Sequence, residues 1–407
     1  MYPTQKSRLK LVLCSIVAIF TLMCLNVVLK QWLAIDRNVK VYSGNGQLIS
    51  SILEVVKEAP VTLTKPALLE ESASIKLERP TVDFKELPEN YILEDIRHEY
   101  QGWNNCGPAT LAMQLSYWGR TETQADIAPF VKPDPKDEHV ELTEMQGYVE
   151  MLGLRAVIRP GGDAMTLKRL LVAGYPVLVE TWHVRTPEDQ LGHYQLVIGY
   201  NDTNQAFILS DSLLGPEHII DYVKFDESWR VFNRVFLITY PPEHESDLIK
   251  IMGHYVESRW AYEHALAVAR DELHLPLVDC TVYASCSDRI TFVWFNIGTN
   301  LLALHQFAES ADAYNQAYAL GWPRRMLWYQ FGPYEAYYRT NKFEQVVRLA
   351  NEVLESGVRS EEAHYWRGRA KLAMGDFAGA QHDFEIALEY HPDWYQAIEM
   401  LKKVRGQ

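Results

Sequence analysis

The residues best set up for chemistry lie in Gln101-Gly-Trp-Asn-Asn-Cys106-Gly-Pro-Ala-Thr110, which runs straight into the apolar segment Leu111–Trp118. This reads as the start of a helix, because the N–H that Pro108 lacks would have had no intrahelical partner in a first turn. Ala109, Ala112, Leu115 (with Met113) and Trp118 then recur at three- and four-residue spacing, so one helix face can be buried. A thiol at the N-terminal end of the dipole is favoured as thiolate, the nucleophilic form. Taken alone, a cysteine beside an apolar run is more often a small buried hydrophobe. The balance is decided downstream.

His193-Tyr-Gln-Leu-Val-Ile-Gly-Tyr200 alternates, with Tyr194, Leu196, Ile198 and Tyr200 on one face and His193, Gln195 and Val197 on the other. Ala206-Phe-Ile-Leu-Ser-Asp211 follows the turn-rich stretch Asn201–Gln205, the pattern of a hairpin. Folding that hairpin symmetrically about Asp202 sets His193 directly opposite Asp211, close enough for a carboxylate to hold an imidazole. Cys106 is then nucleophile, His193 base and Asp211 orienting acid. Gln101 supplies an amide N–H which, with the Cys106 backbone N–H, completes an oxyanion hole. His183, at the end of the preceding strand, competes as base but has no acid placed across a hairpin. Asp202 reads as a turn residue, while Glu180, on an otherwise apolar strand, is either a support for the site or a satisfied core acid. No His, Cys and carboxylate set has metal-ligand spacing, so neither metal nor cofactor is expected.

The elements that position these residues are helices followed by strands. Helices are expected over Gln124–Val131, Leu142–Leu152 (stopped by Gly153) and Ala164–Ala173 (stopped by Gly174). Strands are expected at Leu154–Ile158 and Pro176–His183, then in the hairpin. Helices first and an antiparallel run afterwards indicate an α+β fold.

Gln101 with Asn105-Cys-Gly-Pro108, then Gly192-His-Tyr194 opening a strand that ends in Gly199-Tyr-Asn-Asp202, then Asp211, resembles the papain-like cysteine peptidases related to the bacteriocin leader (double-glycine) peptidases. The resemblance covers roughly Leu87 to Tyr240. It implies a papain-like fold, cysteine peptidase chemistry, and the same roles for Gln101, Cys106, His193 and Asp211. Members usually carry Asp-Pro at the acid, where this chain has Asp211-Ser212. No transporter domain follows the matching stretch, so a double-glycine leader is not carried over as substrate.

From Asp247 onward the chain reads as helical. Phe307, Phe343 and Phe377 recur at a helix-turn-helix period, each beginning the segment after a helix break. Trp294, Gly298, Ala317 and Pro323, then Gly368, Ala380, Phe384, Ala387 and Pro392, resemble tetratricopeptide repeats. Glu361–Trp394 is the clear repeat, Thr291–Pro323 a good one and Leu327–Val358 a degenerate one; Trp260 with Ala265 marks an earlier helix pair. Such an array either presents a peptide or protein partner or braces the neighbouring domain. A chain ending near Glu245 is expected to fold alone and to lose efficiency only on large substrates. The aromatic residues Trp294, Trp328, Tyr337, Tyr338 and Trp366 are expected to line a groove in part.

At the other end, Lys6, Arg8 and Lys10 precede Leu11–Leu29, nineteen residues without a charge, which is the length of a membrane-crossing helix. No small-residue cleavage site follows, which favours an uncleaved anchor. Cys280 and Cys286 form either a disulfide or two unrelated thiols. A net charge of −14 with pI near 5.4 argues against a nucleic-acid partner.

The expected organisation is a cytoplasmic tail, anchor and juxtamembrane segment over 1–40, a stalk over 41–86, a peptidase-like domain over 87–245 and tetratricopeptide-like repeats over 246–407. The expected function is a single-pass membrane-anchored cysteine peptidase with its folded domains outside the cytoplasm, acting on a peptide or protein substrate. An acyl-transferring enzyme with the same triad and a non-catalytic scaffold are the alternatives.

Overall fold

The computed structural model describes residues 87–186, 189–275, 286–323 and 325–406, with side chains of the third stretch from Asp288. The expected anchor, the stalk and Cys280 lie outside these residues, and so does the side chain of Cys286. Among the described residues no helix is long and apolar enough to cross a membrane.

The first helix, α1 (Cys106–Ser116), starts at the cysteine and has Pro108 in its first turn. Its nearly unbroken apolar run has a consequence beyond one buried face: Gly107 through Leu115 are all buried, so α1 is enclosed on every side. Leu111, Met113 and Leu115 are fully buried, each contributing about 1.5–3 kcal/mol. Three further helices follow, α2 (Gln124–Val131), α3 (Leu142–Met151) and α4 (Ala164–Val172). Gly153 and Gly174 sit just past the ends of α3 and α4 at positive φ, which a side chain would strain.

The strands are β1 (Asn90–Ile92), β2 (Arg155–Arg159), β3 (Val177–Thr186), β4 (Asp189–Asn201), β5 (Ala206–Asp211), β6 (Gly215–Asp221) and β7 (Phe236–Tyr240). They pair antiparallel in the order β2-β7-β3-β4-β5-β6, with β1 on the free end of β4. A further helix, α5 (Tyr222–Arg230), joins β6 towards β7. One side of the sheet packs with α1, α2 and α3 through Tyr194, Leu196, Ile198 and Leu178. The other packs with α4 and α5 through Val177, Val179, Val197, Tyr200 and Phe207.

Two expectations for the hairpin are corrected. The register of β4 on β5 shifts between Val197 and Gly199, so Tyr200 joins the face of Val197 rather than that of Ile198. Gly199 is where β1 comes closest: an added Cβ would lie 2.6 Å from the Tyr91 carbonyl oxygen. The pairing is also offset, with Leu196 opposite Ser210, which places Gln195 rather than His193 nearest to opposing Asp211. The offset is two residues, so His193 and Asp211 keep the same face.

The rest of the described chain is helical: α6 (Glu245–Met252), α7 (Ser258–Glu272), α8 (Cys286–Ala303), α9 (Phe307–Ala319), α10 (Met326–Tyr329), α11 (Gly332–Arg339), α12 (Phe343–Leu354), α13 (Glu361–Ala373), α14 (Phe377–Tyr390) and α15 (Tyr395–Arg405). Phe307, Phe343 and Phe377 each begin a helix. Where paired helices meet, an added Cβ at Gly298 would lie 2.8 Å from the Tyr314 ring, and one at Gly368 2.8 Å from the Phe384 ring. These glycines are contact points between helices.

The helical part and the sheet share their cores. Trp182 of β3 and Val231 and Phe232 after α5 are buried together with Phe292 and Phe295 of α8 and Met326 and Leu327 of α10. Leu248, Met252, Tyr255 and Ala261 belong to the core on the α4 side of the sheet. Polar groups match across this boundary. Asn233 and Asn300 exchange side-chain hydrogen bonds of 2.7 and 3.0 Å, and Asn296 donates to the Arg230 carbonyl at 2.7 Å.

Candidate active site

Half-buried Cys106 opens α1 at the mouth of a cleft of about 510 Å³. Gly107 is needed behind it, because a Cβ there would lie 2.9 Å from Met145 and 3.3 Å from the Tyr194 ring. This close seat brings the start of α1 against β4. Cys106 and His193 line the same cleft, close enough for the imidazole to act on the thiol. His193 Nε2 in turn lies 3.0 Å from Asp211 Oδ1, and both side chains are buried. Cys106, His193 and Asp211 are therefore brought together.

Electrostatics follow from that arrangement. Burial pushes the Cys106 thiol up, but the hydrogen bond and charge of His193 and the Tyr194 and Gly107 backbone outweigh it, leaving the thiol below its ordinary value. Burial pushes His193 down, yet its bonds to Asp211 and Cys106 raise it to about 9. Asp211 is driven well below the usual carboxylate range; His193 and Gln195 overcome the cost of its burial. Together these shift the pair towards a thiolate beside an imidazolium.

Asp211 is held from several sides. Gln195 Nε2 donates to its Oδ2 at 2.6 Å, and the backbone N–H groups of Leu213 and Leu214 donate to Oδ1 at 2.7 and 2.9 Å. Thr181 Oγ1 fixes Gln195 by donating to its Oε1 at 2.9 Å. Gln195 shares the alternating face of His193, which was its only signal in the sequence. Ser212, where the resembling family usually has proline, donates its hydroxyl to Gln101 Oε1 at 2.8 Å, and its carbonyl accepts from Gln101 N–H at 2.9 Å. With the carboxamide oxygen so engaged, Gln101 lines the cleft beside Cys106 with its nitrogen left for another acceptor.

His183 does stand close to His193, ring centroids 4.7 Å apart at an interplanar angle of 80°. Burial foremost, with the His193 charge second, lowers it to about 3, so it stays neutral. Glu180 is buried in a small recess lined also by Cys106, Gly107, Tyr194 and Tyr329. One of its oxygens has no hydrogen-bond partner. Burial, then the charge of Cys106, raises it well above its ordinary value. Asp202 is paired with Lys168 and accepts from the Tyr222 hydroxyl at 2.8 Å.

Three residues of the cleft wall come from the helical part, Arg325, Trp328 and Tyr329, and line it together with Gln101–Asn104 and Leu213. Arg325 bonds Asp189 at 2.9 Å and lies over the Trp328 ring. Tyr329 packs on His139 and Trp182, and a Cβ at Gly192 would lie 3.1 Å from it. Of the aromatic residues expected at a groove, Trp328 is in this cleft, whereas Tyr337 is buried.

A cysteine at the start of a central helix, facing a histidine and an aspartate on an antiparallel sheet, defines the papain-like class of fold. Residues 93–236 match the family described as Peptidase_C39 like family, and tetratricopeptide-like helices follow them. No curated protein matches the chain significantly. Among solved structures, a protein described as a C39-like peptidase from Bacillus anthracis is 20% identical, covering 38% of this chain and 98% of its own, with a TM-score of 0.32. The peptidase domain of Streptococcus ComA, a bifunctional ABC transporter of a quorum-sensing pathway, is 18% identical over 36% of this chain and 98% of its own, with a TM-score of 0.31. The first TPR domain of human RPAP3 is 21% identical over 29% of this chain and 92% of its own, with a TM-score of 0.27.

Proposed function

We propose that this protein is a cysteine peptidase whose substrate, a peptide or protein segment, lies in the cleft between the sheet domain and the helical array. The observation that carries this reading is the meeting of Cys106 and His193 in one cleft, with His193 Nε2 3.0 Å from Asp211 Oδ1. The Cys106 thiolate attacks the scissile carbonyl carbon, and the oxygen gathers charge towards the Gln101 carboxamide and the Cys106 N–H. The His193 imidazolium gives its proton to the leaving amine, and the C–N bond breaks to leave an acyl-thioester. Water, losing its proton to His193, attacks that thioester and frees the acid and the thiol. Asp211 keeps the ring oriented and supports its charge.

Leu11–Leu29 serves as a membrane anchor with the folded part outside the cytoplasm; its support is the uncharged length behind three cations. Protease added to intact cells trims an exposed chain, and full protection until lysis contradicts that placement.

Hydrolysis of a fluorogenic peptide library by the full chain tests the enzymatic reading. Cys106→Ala and His193→Ala each abolish turnover, a loss of roughly 10³-fold or more, and His183→Ala leaves most of it. Turnover that survives His193→Ala overturns the assignment.

A further inference from the structure

A second constellation lies away from the cleft, where α3 of the sheet domain meets the repeats. Glu144 of α3, Glu361 at the start of α13 and His391 just after α14 each offer one ligand atom, and these atoms all lie within 4.8 Å of one another. His391 Nδ1 is 3.4 Å from Glu361 Oε1 and 3.8 Å from Glu144 Oε1. The other Glu144 oxygen accepts from the Glu141 N–H at 2.7 Å, which fixes the carboxylate. Stacking on Trp394, centroids 5.9 Å apart at 23°, fixes the imidazole.

Glu361 supplies an independent observation. It is only 3% exposed, and its Oε2 has no hydrogen-bond partner. Among the described residues neither Glu144 nor Glu361 is paired with a lysine or arginine; His391 is the one basic group in reach. A buried carboxylate oxygen without a hydrogen-bond partner calls for a further ligand.

We propose that Glu144, Glu361 and His391 bind a divalent transition-metal ion, zinc by the chemistry of the donors, and that this ion ties the repeats to the sheet domain. Zinc takes imidazole nitrogen and carboxylate oxygen at about 2.0–2.1 Å in a tetrahedron, which places ligand atoms roughly 3.3 Å from one another. The 3.4 and 3.8 Å separations at His391 meet that requirement with small side-chain adjustment. Calcium and magnesium prefer all-oxygen sets, which a nitrogen donor at the centre of the cluster does not suit. Three protein ligands leave a fourth position for water. The hydrogen bond to Glu144 and the ring stack on His391 are the outer contacts that hold ligands in place.

The test is titration of chelator-treated, detergent-purified full chain with zinc chloride at pH 7.5, read by calorimetry, metal analysis and thermal melting. One zinc per chain binds at this site and raises Tm. Glu361→Gln, which keeps the shape and removes the charge, and His391→Ala each weaken that binding by about tenfold or more and remove the Tm rise. His183→Ala, which removes the histidine packed on His193, leaves both unchanged. Circular dichroism of the metal-free variants shows that their fold is retained. Absence of zinc binding, or binding that survives both Glu361→Gln and His391→Ala, overturns the proposal; so does loss of the zinc in His183→Ala.

Discussion

The last and the middle repeats were built on one plan and put to different uses. In the last, α13 and α14 are unbroken, Gly368 lets the Phe384 ring approach, and buried Asp383 is met by Arg367, Lys371 and His364. In the middle repeat the first helix is split at Gln330 and Phe331 into α10 and α11. The short α10 carries Trp328 and Tyr329 to the cleft of Cys106. A repeat that keeps its pattern is occupied with its own packing. One that loses it has been drawn into another surface.

The largest expected effect comes from removing all three repeats together with α6 and α7, by ending the chain after Glu245. Trp182, Val231 and Phe232 would lose their cover, as would the core side that holds Leu248 and Tyr255. At about 1.5–3 kcal/mol per large apolar side chain, this approaches the whole stability of a domain. The shortened chain is therefore expected not to fold, contrary to the expectation from its sequence; a cooperative melt of that fragment would show the array to be an accessory.

Next come substitutions in the broken repeat. Trp328→Ala and Tyr329→Ala are expected to lower kcat/KM on an extended peptide by about tenfold, since remote contacts made in the transition state raise efficiency, while a small activated ester loses less. Equal losses on both substrates would make these aromatics part of the brace. The smallest effect is expected in the regular repeat. Gly368→Ala forces the Phe384 ring aside and is expected to cost about 1–3 kcal/mol of stability by overpacking, seen as a lower denaturation midpoint, with kcat/KM per folded molecule unchanged.

Much of this was legible in short stretches. Gln124–Val131 is helical to the residue because its capping box and its apolar spacing are local signals. Phe307, Phe343 and Phe377 mark helix starts because the repeat period is local too. Cys106, Gln101, His193 and Asp211 are brought together, but through a register the hairpin symmetry did not give. The shift beside Gly199 depends on β1, far away in the chain, and the hairpin offset makes Gln195 the nearer neighbour of Asp211. Glycine inside a strand was the available sign of a bulge. Trp328 was expected at a groove, but Arg325 and Tyr329 at the cleft, and Glu144 beside Glu361 and His391, had no such sign. They meet only through the tertiary packing of two halves, which no spacing in one segment records.

The thiolate at Cys106 is tested most directly by its alkylation with iodoacetamide as a function of pH, followed by mass spectrometry of the peptide that contains it. His193 is raised to about 9, so its positive charge is present at neutral pH and is lost as pH rises through that value. Cys106 is lowered, so its thiolate persists below the free-thiol range. The expected profile keeps substantial alkylation well below pH 8.5, the ordinary thiol value, and in His193→Ala it moves up to that value or beyond. A wild-type profile that rises only around pH 8.5 and does not move in His193→Ala would contradict the ion pair and, with it, the peptidase reading.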